Sequence, residues 1–577
     1  TAYRRQRQMC IRDRNCSVHV LCGMQSSAYA AQGQGGSAPG TYAHWFHPPQ
    51  VFENVYARAR HASLLHQGRA AFQTTRRPRA LLSVDFPNQG HGSLSEFFQK
   101  TPIWSYQPLK TLFTVVFIAW MGLLYIPIVA LLNVPRRFRS RPSWSWKKAV
   151  MVSLVRRCTN FMCYTHIALG GKPVVNEPNM KYGQFVWLDP GNYLQFSSKN
   201  SDLRGELARA MDLQEVQPAR VSGYWYAAPG KELSGDPLAK PGEHVLFHLH
   251  GGAYWMGTGG EGSNESRMCR SLLRRVEGKA MNLKRAFLLD YRLASHRDHT
   301  CGSYPAALID ALLCYLYLTR HCNFAPEHIV LSGDSSGGNL ALALCRYLRD
   351  EGVAPIPGAL LLLAPWCDVS RSHSGPIPSP NLFSTTVLNR KSDILDPSLL
   401  YRNTSVSAFL GVLPASETYR NPYISPVSLQ LDPMKGGHPP HWGFERFPQR
   451  VYILTGNAEL NTEQHVTLAH RMADGTVRGR PVHVGDATHS SEDVDEYLWR
   501  QKFPRSRPAA EQHKNFRCDE MEPAQLEGRT VVLDEVRDGV HVFPLFQWFE
   551  PERTMVLDRI AAWLADEPIP APSTDVF

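Results

Sequence analysis

The stretch HIVLSGDSSGGNLALAL, residues 328–344, constrains the fold more than any other part of this 577-residue chain. An apolar, β-prone run leads into GDSSG, residues 333–337, and a helix-forming run follows directly. A Gly-x-Ser-x-Gly turn between a strand and a helix is the pattern of a nucleophile elbow. Side chains at Gly333 and Gly337 would collide with neighbouring backbone, so the turn can be sharp and can expose Ser335 above a helix N-terminus. The alternative is a glycine-rich turn that carries an ordinary serine.

The chain from about residue 180 onward alternates between strand-like and helix-like segments. Continuous apolar strands that alternate with helices predict an α/β fold with a mostly parallel sheet covered on both faces. The predicted strands are 224–227, 244–249, 286–290, 329–332, 359–363, 451–455 and 530–533. The predicted helices between them include 305–320 and 339–348.

The composition excludes several classes of protein. Hydrophobic residues make up 43% of the chain, enough for a large core, and the 12 cysteines show no metal-ligand spacing. The net charge is +11, but arginines cluster around one apolar segment instead of forming a face with interleaved aromatic residues. This distribution favours a basic collar next to a membrane anchor over a nucleic-acid-binding surface.

The N-terminal part of the chain contains three predicted regions. Residues 1–14, TAYRRQRQMCIRDR, resemble a translated sequencing adapter and are left out of the fold prediction, a genuine basic arm being the alternative. Residues 15–107 have no sustained periodicity and predict a disordered or leader segment. Residues 108–134 predict a transmembrane helix, because TLFTVVFIAWMGLLYIPIVALLNV has no charge and is long enough to cross a bilayer. Pro127 predicts a kink in it.

The residues that follow this segment, 135–220, predict a basic collar with cap or linker helices. The positive-inside rule applied to the collar predicts that the C-terminal bulk of the protein is cytosolic. Apolar residues in 146–167 have helical spacing, and this helix has two alternative interpretations, at a lipid surface or in a cap. The basic residues of the collar are Arg136, Arg137, Arg139, Arg141, Lys147 and Lys148.

Two predicted insertions interrupt the remaining domain, 221–577. Residues 368–449 are rich in proline and serine and too long for a plain connection, so they predict a lid or cap. Residues 476–528 are charged and aperiodic, and their sequence suggests no role.

A loop with the sequence HGGAY, residues 250–254, follows the predicted strand HVLFHL. With the 333–337 turn, it resembles the hormone-sensitive-lipase-like branch of the α/β-hydrolases, which carries an HGGG-type loop at this place. The sequences DYRLA, 290–294, and YPAA, 304–307, resemble the same family, although extra residues lengthen the link between them. The apolar segment adds a resemblance to fungal-type membrane-anchored members.

The resemblance implies an α/β-hydrolase fold and an oxyanion hole. Its donors would be the backbone N–H groups of Gly252, Ala253 and Ser336. Ala253 replaces the family's third glycine, which leaves the N–H in place. His250 and Gly251 would orient the loop.

A catalytic serine needs a base, and the base needs an acid that holds its tautomer. In this family the acid and then the histidine follow the serine along the chain. Glu459, after the strand VYILTG, stands where the family has an aspartate, and Glu463 is the alternative. His541, in DGVHVF near the C-terminus, matches the family's closing histidine, and His489 is its rival.

These residues predict a serine carboxylic-ester hydrolase that acts on lipophilic esters, such as acylglycerols or acetylated sterols, without a metal or an organic cofactor. Two alternatives remain, an arylformamidase-like amide hydrolase and a non-catalytic ligand-binding relative. The expected partners are a lipid or lipophilic ester and a membrane. The sequence does not indicate the acyl-chain length or the oligomeric state.

We expect a single-pass membrane protein that is located in the endoplasmic reticulum. The side of the membrane has two alternatives, since the charge rule favours the cytosol and the family resemblance favours the lumen. Glycosylation sequons at Asn264 and Asn403 could be used only in the lumen.

Overall fold

The structure is a computed structural model. It describes residues 103–167, 176–197, 201–233, 235–295, 299–374, 384–396, 404–437, 441–487 and 526–571. The predictions for residues 1–102, for most of the second insertion and for His489 therefore lie outside the described residues.

The described residues form nine strands and a larger set of helices. The strands are β1 Gly183–Leu188, β2 Val221–Ala227, β3 His244–Leu249, β4 Leu283–Asp290, β5 Ile329–Asp334, β6 Ala359–Leu363, β7 Arg450–Gly456, β8 Val482–Gly485 and β9 Thr530–Val536. The α-helices are α1 Leu109–Trp120, α2 Ile126–Leu132, α3 Trp146–Thr165, α4 Pro190–Tyr193, α5 Gly205–Gln214, α6 Asn264–Val276, α7 His299–Gly302, α8 Ala306–Leu316, α9 Ser336–Glu351, α10 Thr385–Leu388, α11 Thr404–Leu410, α12 Glu417–Arg420, α13 Thr462–Ala473 and α14 Glu552–Leu564.

All nine strands belong to one sheet, in the order β1-β2-β4-β3-β5-β6-β7-β9-β8. The pairs β1–β2 and β2–β4 are antiparallel, and every other pair is parallel. Strands β5 and β6 are buried at every position, because helices pack on both faces of the sheet. This arrangement confirms the predicted α/β class with a mostly parallel sheet.

The sheet extends beyond the predicted domain boundaries at both edges. β1 lies upstream of residue 221, where the sequence placed the start of the domain, and β8 lies inside the segment 476–528, which the sequence assigned to an insertion. Both assignments were wrong for these strands. β1 has a mixed burial pattern and β8 has four half-buried residues, so neither carries the continuous apolar run that marks a central strand.

The apolar segment is one helical unit, Leu109–Leu132, and is called the apolar helix below. It consists of α1, the π-helical turn Met121–Tyr125 and α2. The π turn ends two residues before Pro127, which has no N–H to donate to the preceding turn, so the helix adapts locally at the position where the sequence predicted a kink. The apolar helix is long and apolar enough to cross a membrane and is mostly exposed; a second segment that passes the same test, His299–His321, is 94% buried in the core.

Helix α3 lies between the apolar helix and the core around the sheet. Its residues Ala149 and Val152 are buried in the hydrophobic cluster on one face of the sheet. On its other side, the Phe161 ring stacks on Phe117 of the apolar helix at 3.9 Å between centroids. α3 therefore packs against the sheet cluster on one side and against the apolar helix on the other.

A buried ion pair fixes α3 to the C-terminal helix α14. Lys148 Nζ lies 2.6 Å from both carboxylate oxygens of Glu552, and each side chain is only 7% exposed. The ammonium also lies over the Phe549 ring, 4.5 Å from its centroid. Because both groups are buried, removal of either one would leave the other as a buried charge without a partner.

We expect Lys148→Met to lower the free energy of unfolding by about 3–5 kcal/mol, because it leaves the Glu552 carboxylate buried without its partner. The double variant Lys148→Met/Glu552→Leu should recover most of that loss. Arg275→Met, which breaks the exposed pair with Asp558, is the matched control and should cost less than about 1 kcal/mol. Urea unfolding in detergent measures all three, and equal losses for Lys148→Met and Arg275→Met would contradict this account.

Candidate active site

The turn between β5 and α9 holds Ser335 in a strained conformation. Its backbone φ is 50°, in the left-handed region that a side chain rarely adopts. Two hydrogen bonds to the β6 end hold this turn, from Ser335 N to Leu363 O (3.0 Å) and from Trp366 N to Ser335 O (2.7 Å). The serine is thereby presented beyond the carboxyl end of the sheet, where ligands bind in open α/β sheets.

The glycines of the elbow are needed because of close backbone contacts. A Cβ on Gly333 would lie 2.3 Å from Gly337 O, and a Cβ on Gly337 would lie 2.0 Å from Leu249 O. Both distances are too short for real atoms, as the sequence predicted. Neither glycine has a positive φ, so the requirement is space and not backbone conformation.

Ser335, His541 and Glu459 form a continuous hydrogen-bonded line. His541 Nε2 lies 2.9 Å from Ser335 Oγ, and His541 Nδ1 lies 2.8 Å from Glu459 Oε2. Because the carboxylate can only accept, Nδ1 carries the proton and Nε2 accepts from the serine hydroxyl. The three residues follow the carboxyl ends of β5, β9 and β7, so the sheet brings together positions that are 206 residues apart.

The second oxygen of Glu459 is held by its own strand. Glu459 Oε1 accepts from Gly456 N at 2.7 Å and from Thr455 Oγ1 at 3.0 Å. His465 lies 3.5 Å away, and its Nε2 donates to Pro365 O at 2.8 Å. Burial by itself would raise the pKa of Glu459, but His465 and His541 lower it well below the usual range. The carboxylate is therefore ionised at neutral pH.

The pKa of His541 is shifted in the opposite direction. Burial by itself would lower it, but the hydrogen bond and the charge of Glu459 raise it above its ordinary value, with smaller contributions from Asp393 and Asp334. The imidazolium is thus stabilised, which is what a general base requires after it has taken a proton.

The loop after β3 lies beside Ser335 in an unusual backbone conformation. Gly252, Ala253 and Tyr254 have φ values of 111°, 55° and 59°. Tyr254 N donates to Ser336 Oγ at 3.2 Å, which ties the loop to the first residue of α9. Within the described part of the chain, the N–H groups of Gly252 and Ala253 donate to no protein acceptor. They are available to a ligand oxygen, as is expected of oxyanion donors.

His250 and Gly251 anchor the start of this loop. The His250 ring is buried and stacks on Tyr291 at 4.2 Å between centroids. Gly251 N donates to Asp334 Oδ1 at 2.9 Å, directly before the serine. Both contacts lie at the start of the loop, and the orienting role that the resemblance implies for the two residues stays a prediction.

The sequence analysis missed a residue from the first predicted insertion that joins the acid and histidine loops. Asp393 Oδ1 accepts from His541 N at 3.0 Å, and Asp393 Oδ2 accepts from Leu460 N at 2.8 Å. Its side chain is buried, which raises its pKa to about 6. Asn389, from the same segment, donates to Glu459 O at 2.7 Å. No local motif marks either residue.

A second missed group lies between the apolar helix and α3. Arg141 Nη2 donates to Asn389 Oδ1 at 2.7 Å and to Asn457 O at 3.0 Å, and its Nη1 lies 3.6 Å from Asp538 Oδ1. Ser143 donates to the Asp538 carboxylate, and Trp144 Nε1 donates to Asp538 O at 3.0 Å. The segment 141–144 is thus hydrogen-bonded both to the loop that leads to Glu459 and to the loop that leads to His541.

The rival residues are placed differently. The carboxylate of Glu463 accepts from Ser384 Oγ at 3.2 Å, while Glu459 occupies the position beside His541. His489 lies outside the described residues. Among the residues that the structure describes, no group of three or more His, Cys, Asp or Glu side chains is arranged to hold a metal.

A family model described as the alpha/beta hydrolase fold matches residues 246–491. This match, together with the sheet order and the elbow, decides the fold. The chain has the α/β-hydrolase fold. The matched segment contains the loop after β3, Ser335 and Glu459 but ends before His541, whose place in the site comes from the geometry.

Curated relatives match a shorter part of the chain. A putative acetyl-hydrolase from Mycobacterium tuberculosis is 36% identical over 126 residues, which is 22% of this chain and 36% of the relative. An acetyl-hydrolase from Streptomyces hygroscopicus is 31% identical over 159 residues, 27% of this chain and 48% of the relative. The chain therefore spans less than half the length of these relatives.

The structure also aligns with that of an esterase from the bacterial hormone-sensitive lipase family. It is 19% identical, with a TM-score of 0.40, and the alignment covers 77% of this chain and 97% of that one. EstE5, in a crystal soaked with p-nitrophenyl butyrate, is 18% identical with a TM-score of 0.40, covering 73% of this chain and 99% of that one.

The pH dependence of this α/β-hydrolase site should follow His541. Only the neutral imidazole can accept a proton, so kcat/KM for an ester should fall as pH falls through the raised pKa of His541, above its ordinary value of about 6.5. Glu459→Gln removes the carboxylate that raises this pKa. The fall of kcat/KM at low pH, called the acid limb below, should therefore move to lower pH. The value of kcat should fall about 10³- to 10⁴-fold, because no carboxylate then holds His541 in the tautomer that carries its proton on Nδ1.

Glu463→Gln is the matched control for this measurement, since it makes the same change one helical turn later. We expect it to leave the acid limb in place. If the acid limb of the kcat/KM profile moved in Glu463→Gln and stayed in place in Glu459→Gln, Glu463 would be the carboxylate partner of His541.

Arg141→Ala should loosen the acid and histidine loops without touching substrate. We expect kcat to fall about 10- to 100-fold with little change in KM, because small misplacements of catalytic groups have effects of this size. Arg141→Lys keeps the charge but cannot donate to Asn389 and Asn457 together, so it should rescue only part of the activity. The control is Arg320→Ala, which breaks a partly exposed pair with Asp202 away from these loops. Equal effects on kcat from both alanine variants would show that Arg141 acts only through general stability.

Proposed function

We propose that this chain is a membrane-anchored serine hydrolase that cleaves carboxylic esters of lipophilic compounds. The observation that carries the proposal is the line from Ser335 Oγ through His541 to Glu459, at 2.9 and 2.8 Å, near two N–H groups that have no acceptor among the described residues. The names of the matched relatives, acetyl-hydrolase and esterase, support ester hydrolysis.

In the first half of the reaction, His541 Nε2 takes the hydroxyl proton of Ser335 as Oγ attacks the ester carbonyl carbon. The carbonyl electrons move to oxygen, and this oxyanion accepts hydrogen bonds from the N–H groups of Gly252, Ala253 and Ser336. Each such donor contributes on the order of 3 kcal/mol to transition-state stabilisation. Glu459 stabilises the imidazolium and stays ionised.

The tetrahedral intermediate then collapses. His541 donates its proton to the departing alkoxide, which leaves as the alcohol, and the acyl group remains on Ser335. Water enters, loses a proton to the same imidazole and attacks the acyl carbon. A second collapse releases the carboxylic acid and restores the serine.

The apolar helix supplies the membrane anchor in this proposal. Its exposed side chains would be costly to keep in water, and a bilayer covers them. An anchored site would meet its substrates in the lipid phase, which favours acylglycerols and acetylated sterols over soluble metabolites. The single-pass crossing and the endoplasmic-reticulum location remain predictions from the sequence.

The test is hydrolysis of p-nitrophenyl esters with acyl chains of increasing length, by the wild type and by Ser335→Ala. We expect turnover by the wild type and a loss of about 10⁴-fold or more in the variant, because the nucleophile is gone. Labelling by a fluorophosphonate probe should disappear in the same variant. Thermal unfolding checks that Ser335→Ala is folded.

The outcomes separate the alternative functions. Ester turnover that persists in Ser335→Ala, or no turnover at any acyl length, would refute the esterase proposal. Preference for N-formyl amides over esters would favour an arylformamidase. Failure of the fluorophosphonate to label the wild type would favour a ligand-binding relative.

A further inference from the structure

The apolar helix packs along α3 from Phe117 to Ala130, and the two run in opposite directions. Near one end Phe117 stacks on Phe161, in the middle Tyr125 Oη donates to Ser153 O at 3.2 Å, and near the other end Trp146 Nε1 donates to Ala130 O at 2.8 Å. These contacts form a helical hairpin.

Within the part of the chain that the structure describes, contacts cover one narrow stripe of the apolar helix. The less exposed positions Thr114, Phe117, Met121, Tyr125 and Val129 recur every three or four residues, which is one face of a helix. Nine apolar side chains on the remaining surface are more than half exposed: Leu112, Val115, Val116, Ile118, Leu123, Leu124, Ile128, Leu131 and Leu132. The uncovered face is thus continuous and hydrophobic from end to end.

The partner helix α3 is joined firmly to the hydrolase core. Besides the buried pair of Lys148 with Glu552, Arg156 Nη2 lies 2.9 Å from the Asp396 carboxylate, and Asn160 donates to the same oxygen. The segment before α3 clasps the acid and histidine loops, as described above. α3 therefore cannot leave the core without breaking these contacts.

The charges of α3 lie beside the middle of the apolar helix. The Arg157 guanidinium lies 5.0 Å from the Tyr125 ring centroid and 5.7 Å from that of Trp120. If the apolar helix crossed a bilayer in this arrangement, its middle would be at the bilayer centre, and Arg156 and Arg157 would be there too. Placing one arginine at that depth costs about 2.5–3.5 kcal/mol of insertion free energy, even on scales derived from insertion experiments. The domain attached to α3 would have to enter the bilayer as well, which adds to that cost.

We propose that the apolar helix lies in the plane of the membrane surface, with its uncovered face in one leaflet, its α3 face toward the hydrolase domain and both of its ends on the same side. The partner is a bilayer with anionic headgroups, because Lys110, Arg136 and Arg137 flank the apolar face. This inference rests on the membrane anchoring proposed above and is independent of the ester chemistry.

The first experiment places one epitope tag at each end of the full chain and treats sealed microsomes with protease from outside. We expect the protease to remove both tags or to leave both intact. If both are intact, adding detergent should make both accessible to the protease. Removal of one tag with protection of the other would overturn the proposal in favour of a crossing helix. Ser335→Ala should behave like the wild type, so a failed esterase proposal leaves this result intact.

The second experiment measures flotation of the purified protein with phosphatidylcholine vesicles, with and without phosphatidylserine. Leu123→Glu/Leu131→Glu charges the uncovered face and should abolish flotation, whereas Leu213→Glu, at an exposed leucine of α5, should not change it. Phosphatidylserine should strengthen binding at low salt, and Arg136→Ala/Arg137→Ala should remove that gain. Flotation of the double glutamate variant at the wild-type level, or no flotation of the wild type, would overturn the proposal.

Discussion

A close approach of two backbone segments determines the rest of this site. Gly337 on α9 passes so near to the end of β3 that a Cβ would lie 2.0 Å from Leu249 O and 2.5 Å from His250 O. The absence of a side chain lets the loop after β3 lie directly against the elbow. Tyr254 N on this loop donates to Ser336 Oγ at 3.2 Å, so Gly252 and Ala253 belong to a segment that is tied to the residue after Ser335. Any larger residue at 337 would push this loop away from the elbow.

The centre of the molecule was predictable from the sequence because its signals are local. The elbow, the loop after β3 and the buried strands each carry their pattern within a few residues, and the physical reason for the pattern acts over the same short range. His541 could be chosen from 23 histidines only because a strand, a turn and a terminal helix surround it. That choice used local context and left the distance to Ser335 to be found in the structure.

The parts that the sequence did not reveal depend on partners far away in the chain. Arg141 contacts Asn389 and Asn457, which follow it by 248 and 316 residues. Asp393 joins the acid and histidine loops from within a segment that the sequence could describe only as a cap. Strand β8 escaped prediction because an edge strand needs no continuous apolar run to pair. Such contacts are decided by topology, which no short window of residues contains.

The position of β9 inside the sheet has a consequence for the spacing of the site residues along the chain. β9 is hydrogen-bonded to β7 on one side and to β8 on the other, and the loop that carries His541 begins at its end. β8 and β9 are parallel, so the chain has to return to the start of β9 before it reaches the loop that carries His541. Because the end of β9 sets the place of the imidazole, the number of residues between serine and histidine is a poor guide to whether the two side chains meet.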